Sequence, residues 1–128
     1  MITWNNLDTL TSFKELENVE RVDLVKAMAG ENGAERVKNY SVPMAEGLTY
    51  NYAAKQVDDK VLAALAKLAD EAQLTEKFEA LYNGEVINTG EKRLVLHHMT
   101  RGQLGEAVEA DGVDKRTFYT EQQAKIAD

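Results

Sequence analysis

The sequence predicts an α+β fold that is mostly α-helical and carries one β-hairpin. Three observations lead there. Apolar residues recur at helical spacing in one segment after another, strict apolar–polar alternation occurs only between Tyr40 and Tyr52, and the helical segments are bounded by residues that cap or stop helices. The 128 residues hold 44% hydrophobic and 29% charged side chains, which suits one domain with a modest core, or one piece of a larger domain, and is too short to suggest two independent ones.

Taken in order, Leu10, Phe13 and Leu16 place a short amphipathic helix over Thr9–Leu16, and Val22, Val25 and Ala29 place a second over Val19–Ala29 with Gly30 as its stop. A further helical turn over Ala34–Asn39 leads to Tyr40, Val42 and Met44, which alternate with Ser41 and Pro43. Leu48, Tyr50 and Tyr52 resume the alternation after Gly47, so the stretch reads as a hairpin with Pro43 on an edge strand, since proline cannot donate to a ladder.

Asp58 then caps a helix to about Ala72 that turns Val61, Leu65, Leu68 and Ala72 to one face. The next helix, Leu74 to Asn83, presents Leu74, Phe78, Leu81 and Tyr82 inward and ends at Gly84. Asn88-Thr89-Gly90-Glu91 has the capping-box pattern, which predicts a helix opening near Lys92, carrying Leu94, Val95, Leu96 and Met99 and ending by Gly102. Gln103–Gly112 shows little periodicity and reads as loop. Asp114 caps a last helix through Phe118, Gln122 and Ile126, which reaches Asp128 with no stop signal, so the chain reads as cut short.

The composition excludes several function classes. A formal net charge of −7 opposes sequence-independent nucleic-acid binding, which needs cations to displace counterions from phosphates. No apolar run is long enough to span a bilayer and Met1–Asn6 has no export signal, so a cytoplasmic location with neither nucleic acid nor membrane as partner is expected. The absence of cysteine removes disulfides, thiolate nucleophiles and cysteine-type zinc sites.

Candidate chemistry is sparse. His97 and His98, the two histidines, are neighbours on a predicted helix and so point about 100° apart, which disfavours joint metal binding. One is expected inside and one at the surface. Gly84-Glu85 and Gly90-Glu91 each place a carboxylate where a bound anion would sit, so both glycines read as punctuation. The acidic groups Glu15 with Glu17, Asp58 with Asp59, and Glu106, Glu109 and Asp111 read as solvated faces and caps, and Tyr50, Tyr52 and Tyr82 as packing residues. Taken alone, the residues give no catalytic, cofactor or metal site.

A resemblance adds what spacing does not. Asn83-Gly84-Glu85-x-Ile87-Asn88, followed by Glu91-x-Arg93-x-Val95-Leu96-His97 and Arg101, resembles an early motif of the glucose-6-phosphate isomerase family. Gly90 stands in place of the family's threonine and Leu94 in place of its alanine. The likeness reaches back through the hairpin and Tyr52, Ala53 and Lys55, with Asn51 where the family has aspartate and Lys55 one residue late, so it covers about Tyr40 to Arg101.

The resemblance implies that residues 1–128 are the N-terminal segment of a two-domain α/β enzyme of the sugar isomerase type. That enzyme would interconvert glucose 6-phosphate and fructose 6-phosphate through an enediol, in glycolysis and gluconeogenesis, as a homodimer and without metal or cofactor. The family's catalytic glutamate, histidine and lysine and its Gly-Ile-Gly-Gly-Ser segment are not in this sequence, so no catalytic residue carries over and the chain alone is expected to be inactive. Only Arg93 and His97 carry over, as support beside the substrate site, against the preferred structural reading in which Arg93 joins an ion pair or helix terminus and His97 fills a polar niche. An isolated piece would expose apolar surface and is expected to self-associate. On this view Asn83–His97 is a helix end, a cap and the start of a buried helix, and a helix opening near Lys92 is required. The competing readings are a small helical protein-interaction module and a stand-alone enzyme.

Overall fold

The computed structural model describes residues 1–101 and 105–127. They form two compact units, one of Asn6–Leu68 and one in which Met1–Asn5 joins the residues from Ala69 onward, where the sequence reading expects a single core. The division follows from locality, because each unit closes on neighbouring elements and is organised around its own buried arginine.

In the unit of residues 6–68, α1 (Thr11–Glu17) follows a short 3-10 turn and buries Leu10 and Ser12 at its start. α2 is only Leu24–Ala27, far shorter than expected. The Asp23 carboxylate accepts the Lys26 N–H at 3.2 Å and so starts the helix a turn late, while Val25, 84% exposed, contributes nothing to hold a longer one. α3 (Gly30–Asn39) begins at the glycine expected to be a stop. A side chain at Gly33 would reach the Met28 carbonyl oxygen at 2.3 Å, so the turn between α2 and α3 requires glycine there.

The hairpin forms as predicted from β1 (Ser41–Pro43) and β2 (Thr49–Asn51), antiparallel, with Val42 opposite Tyr50 and Pro43 opposite Thr49. Its apolar residues are not covered, since Val42, Met44, Leu48 and Tyr50 are all exposed. Arg36 of α3 is buried and donates from Nε to the Ala53 carbonyl at 2.7 Å and from Nη2 to those of Lys55 and Val57, with its guanidinium 4.3 Å over the Tyr40 ring. It thereby ties down the turn-rich segment that brings the chain to α4 (Asp59–Glu71), whose Val61 N–H is accepted by Asp58 at 2.9 Å as predicted. On α4 Ala64 is buried, and of the expected face Val61 and Leu68 are half-buried and Ala72, just past the helix, is buried, whereas Leu65 is exposed.

In the other unit, Thr3 donates through its N–H and its hydroxyl to the Gln73 side-chain oxygen at 2.8 and 2.9 Å, and Lys77 lies 5.3 Å over the Trp4 ring. Helix α5 (Leu74–Tyr82) buries Ala80 but leaves Phe78 exposed, against expectation. It ends in a Schellman motif, with Gly84 N–H donating to the Leu81 carbonyl at 3.2 Å and Glu85 N–H to that of Ala80 at 2.9 Å. Gly84 has φ +71°, and a Cβ there would lie 2.1 Å from the buried Val108 side chain.

The stretch read as loop contains a second small hairpin, β3 (Glu109–Ala110) with β4 (Val113–Asp114). Asp111 and Gly112 connect them with φ of +54° and +73°, the left-handed pair that a two-residue hairpin loop needs, and Asp-Gly was its signal in the sequence. The expected stop at Gly102 and the loop residues Gln103 and Leu104 lie outside the described residues. Asp114 caps α6 (Lys115–Ala127) as predicted, accepting from the Arg116 N–H at 3.1 Å and the Thr117 hydroxyl at 2.6 Å. Phe118 and Ile126 of that helix are exposed. No helix among the described residues is long and apolar enough to cross a membrane.

Candidate functional site

The motif block is built differently from its prediction. No helix opens near Lys92. Asn88 and Arg93 instead form an antiparallel bridge, with N–H to carbonyl distances of 3.3 and 3.2 Å, closed by a turn in which Lys92 adopts φ +53°. The predicted cap contact is nevertheless made: the Asn88 side-chain oxygen accepts the Glu91 N–H at 3.1 Å. Asparagine capturing a donor three residues ahead stabilises a tight turn as readily as a helix start, so the capping-box pattern fits both, and the cross-bridge selects the turn. Helical hydrogen bonding begins only at His97–Arg101, as a 3-10 segment.

This arrangement separates Arg93 from His97. Arg93 lines an open cleft of about 780 Å³ whose walls also carry Lys92 and the carboxylates of Glu85, Glu109 and Asp111. The Arg93 side chain is exposed and pairs loosely with Glu91 at 3.9 Å. With three carboxylates against two cations, the cleft by itself is a poor seat for a phosphate. His97 is exposed and does not line the cleft; its carbonyl accepts the Thr100 hydroxyl at 2.8 Å.

His98 is the inner member of the pair. Its ring lies 4.6 Å from the Tyr82 ring, and both ring nitrogens are buried without a well-formed hydrogen bond among the described residues. Burial, and then the nearby Arg116 guanidinium, push its pKa below the usual histidine range, against an opposite pull from the Val95 carbonyl. Arg116 is buried and donates to the Glu106 carbonyl and, at 2.7 Å, to the Tyr82 carbonyl. The sequence reading missed both Arg36 and Arg116 as organising residues, because nothing in local spacing distinguishes an arginine that will be buried against carbonyls from one on a wet face.

The acidic groups serve locally. Glu15 pairs with Lys67 at 3.3 Å, Asp58 caps α4, and Asp59 accepts the Tyr40 hydroxyl at 2.9 Å. Among the described residues no group of three histidine or carboxylate side chains stands together as a metal site.

Comparison with known proteins extends the resemblance beyond the motif. The sequence model of the family described as phosphoglucose isomerase matches residues 51–128. The glucose-6-phosphate isomerase of Treponema denticola is 52% identical over 128 aligned positions, covering 96% of this chain and 24% of that protein. Those of Treponema pallidum and Borrelia garinii subsp. bavariensis are each 40% identical, over 98% of this chain and 24% and 23% of their own lengths. The chain thus spans about a quarter of the length of the curated relatives it matches. The helix that the sequence reading required near Lys92 is absent, so that requirement was wrong as a test of the family. The likeness rests instead on residues aligned along nearly the whole chain, which supports neither the interaction module nor the stand-alone enzyme. This chain belongs to the phosphoglucose isomerase family.

Proposed function

We propose that this chain is the N-terminal segment of a glucose-6-phosphate isomerase, and that the whole protein interconverts glucose 6-phosphate and fructose 6-phosphate in the cytoplasm as a homodimer. The observation that carries the reading is the 52% identity to a protein named glucose-6-phosphate isomerase, together with the family match over residues 51–128. In this reading residues 1–128 are scaffold. Their cleft has no convergent acid, base and phosphate-binding set, so the reacting groups come from the remaining three-quarters of the polypeptide. Arg93 and His97 support the substrate site from beside it, Arg93 through the Asn88 bridge and His97 through the 3-10 segment that follows.

A coupled assay that reduces a nicotinamide cofactor as glucose 6-phosphate appears from fructose 6-phosphate tests this directly. The whole protein is expected to turn over and the 128-residue chain, freed of host enzyme, is not. A whole protein without activity would overturn the assignment, and activity in the short chain would overturn the scaffold role.

A further inference from the structure

Two Asn-Gly pairs occur in the chain, Asn32-Gly33 and Asn83-Gly84. Such a pair is prone to lose the asparagine amide, because glycine has no Cβ to keep its main-chain nitrogen away from the neighbouring Cγ. Both asparagines are exposed. Their side chains make no hydrogen bond among the described residues, whereas Asn18, Asn51 and Asn88 each donate through Nδ2, to the Lys14 and Val37 carbonyls and the Glu91 carboxylate. What separates the two pairs is the main chain around them.

Asn32 lies inside α3, and Gly33 is buried against the Met28 carbonyl. Bringing the Gly33 nitrogen onto the Asn32 Cγ would require α3 to unwind from within. Asn83 instead follows the last residue of α5, at φ −81° and ψ 0°, so only the end of that helix has to open. The Gly84 N–H is held by its 3.2 Å bond to the Leu81 carbonyl. The peptides on either side are held by the Glu85 N–H on the Ala80 carbonyl at 2.9 Å and by Arg116 on the Tyr82 carbonyl at 2.7 Å. Reaction at Asn83 therefore waits on one helix end, and the Arg116 contact helps to set how often that end opens.

We propose that Asn83-Gly84 is a deamidation site whose rate is set by opening of the α5 end that Arg116 holds closed. In the open form the Gly84 nitrogen bonds to the Asn83 Cγ and the Cγ–Nδ2 bond breaks, so that Nδ2 leaves as ammonia with the proton from Gly84. Water then opens the cyclic imide at either carbonyl. Attack at Cγ leaves aspartate, and attack at the main-chain carbon leaves isoaspartate. Both products oppose reclosure, because a carboxylate at position 83 faces the negative end of α5. Isoaspartate also lengthens the main chain by one carbon beside Gly84, where a single added Cβ would already lie 2.1 Å from the Val108 side chain. This chemistry uses only the described residues and water, and is independent of the isomerase reading.

Incubation of the whole protein at mildly alkaline pH tests it, followed by peptide mass spectrometry with fragmentation that separates aspartate from isoaspartate. In the native protein, amide loss at Asn83 is expected to run at least ~10-fold faster than at Asn32. In denaturing urea the two should run within about threefold of each other, because the difference lies in the fold. Arg116→Lys should raise the native rate at Asn83 at least ~5-fold and leave that at Asn32 unchanged. Should that variant fail to fold, the unsubstituted protein in urea below its unfolding transition supplies the same readout: hydrogen exchange at the Gly84 amide and amide loss at Asn83 should rise by the same factor. Loss at Asn32 as fast as at Asn83 in the native protein would overturn the site. A rate at Asn83 unmoved by Arg116→Lys in a folded variant, or rising independently of the Gly84 exchange, would overturn the gate.

Discussion

The Arg116 guanidinium donates to the main-chain carbonyl of Tyr82 at 2.7 Å, joining α6 to the last turn of α5 across 34 residues of sequence. The same side chain donates to the Glu106 carbonyl, and Gly105 has no Cβ to obstruct it, since one would lie 2.8 Å from Nη2. A planar fork can satisfy two carbonyls that face it from different segments, which an ammonium on a flexible stem does poorly. Arg36 plays the corresponding part in the other unit.

Arg116→Ala is therefore expected to destabilise the protein by about 2 kcal/mol, because two part-buried carbonyls lose charge-assisted donors. Arg116→Lys should recover less than half of the loss. Urea unfolding measures both, and a lysine variant as stable as the original would show that charge rather than the fork is what matters.

Gly84→Ala should cost about 3 kcal/mol, combining a left-handed backbone with a Cβ driven into Val108. Val108→Ala in the same chain should relieve the clash but not the backbone strain, so the double variant is predicted to lose less than the two single changes added together. Additive losses in a thermodynamic cycle would rule the clash out.

His98 predicts a loss of stability in acid. The folded-state pKa of His98 lies below the ordinary 6.5, so its contribution to stability is complete above that pH and is lost as the pH falls through the folded value. Asp114, held low by the Thr117 hydroxyl first and by main-chain N–H groups besides, adds a second loss below its ordinary 3.8. Unfolding midpoints followed from about pH 8 down to about pH 5 should fall, and His98→Gln should flatten that slope. An unaltered slope would mean that His98 titrates alike in the folded and the unfolded chain.

Arg93→Ala in the whole protein is expected to lower kcat/KM about tenfold, equivalent to about 1.4 kcal/mol of transition-state stabilisation, while changing stability little. Its ion pair with Glu91 is 3.9 Å long and exposed, a class of contact worth little to folding. If neither activity nor stability changes, Arg93 has no supporting role; if stability alone changes, its role is confined to the bridge.

The sequence by itself determined what short-range chemistry decides. Asp58 and Asp114 open their helices, Gly84 ends α5, the Tyr40–Tyr52 alternation makes a hairpin, and the Asn83–His97 residues mark the family, because each depends on side chains a few positions apart. The tertiary structure decided the rest. Asn88-Glu91 makes one contact compatible with two backbones, and the bridge to Arg93 chose the turn; Phe78 and Leu65 obey helical periodicity and yet face solvent. Which arginine is buried, which histidine is inside and which apolar face stays open are settled by contacts between distant segments, and local spacing does not encode those.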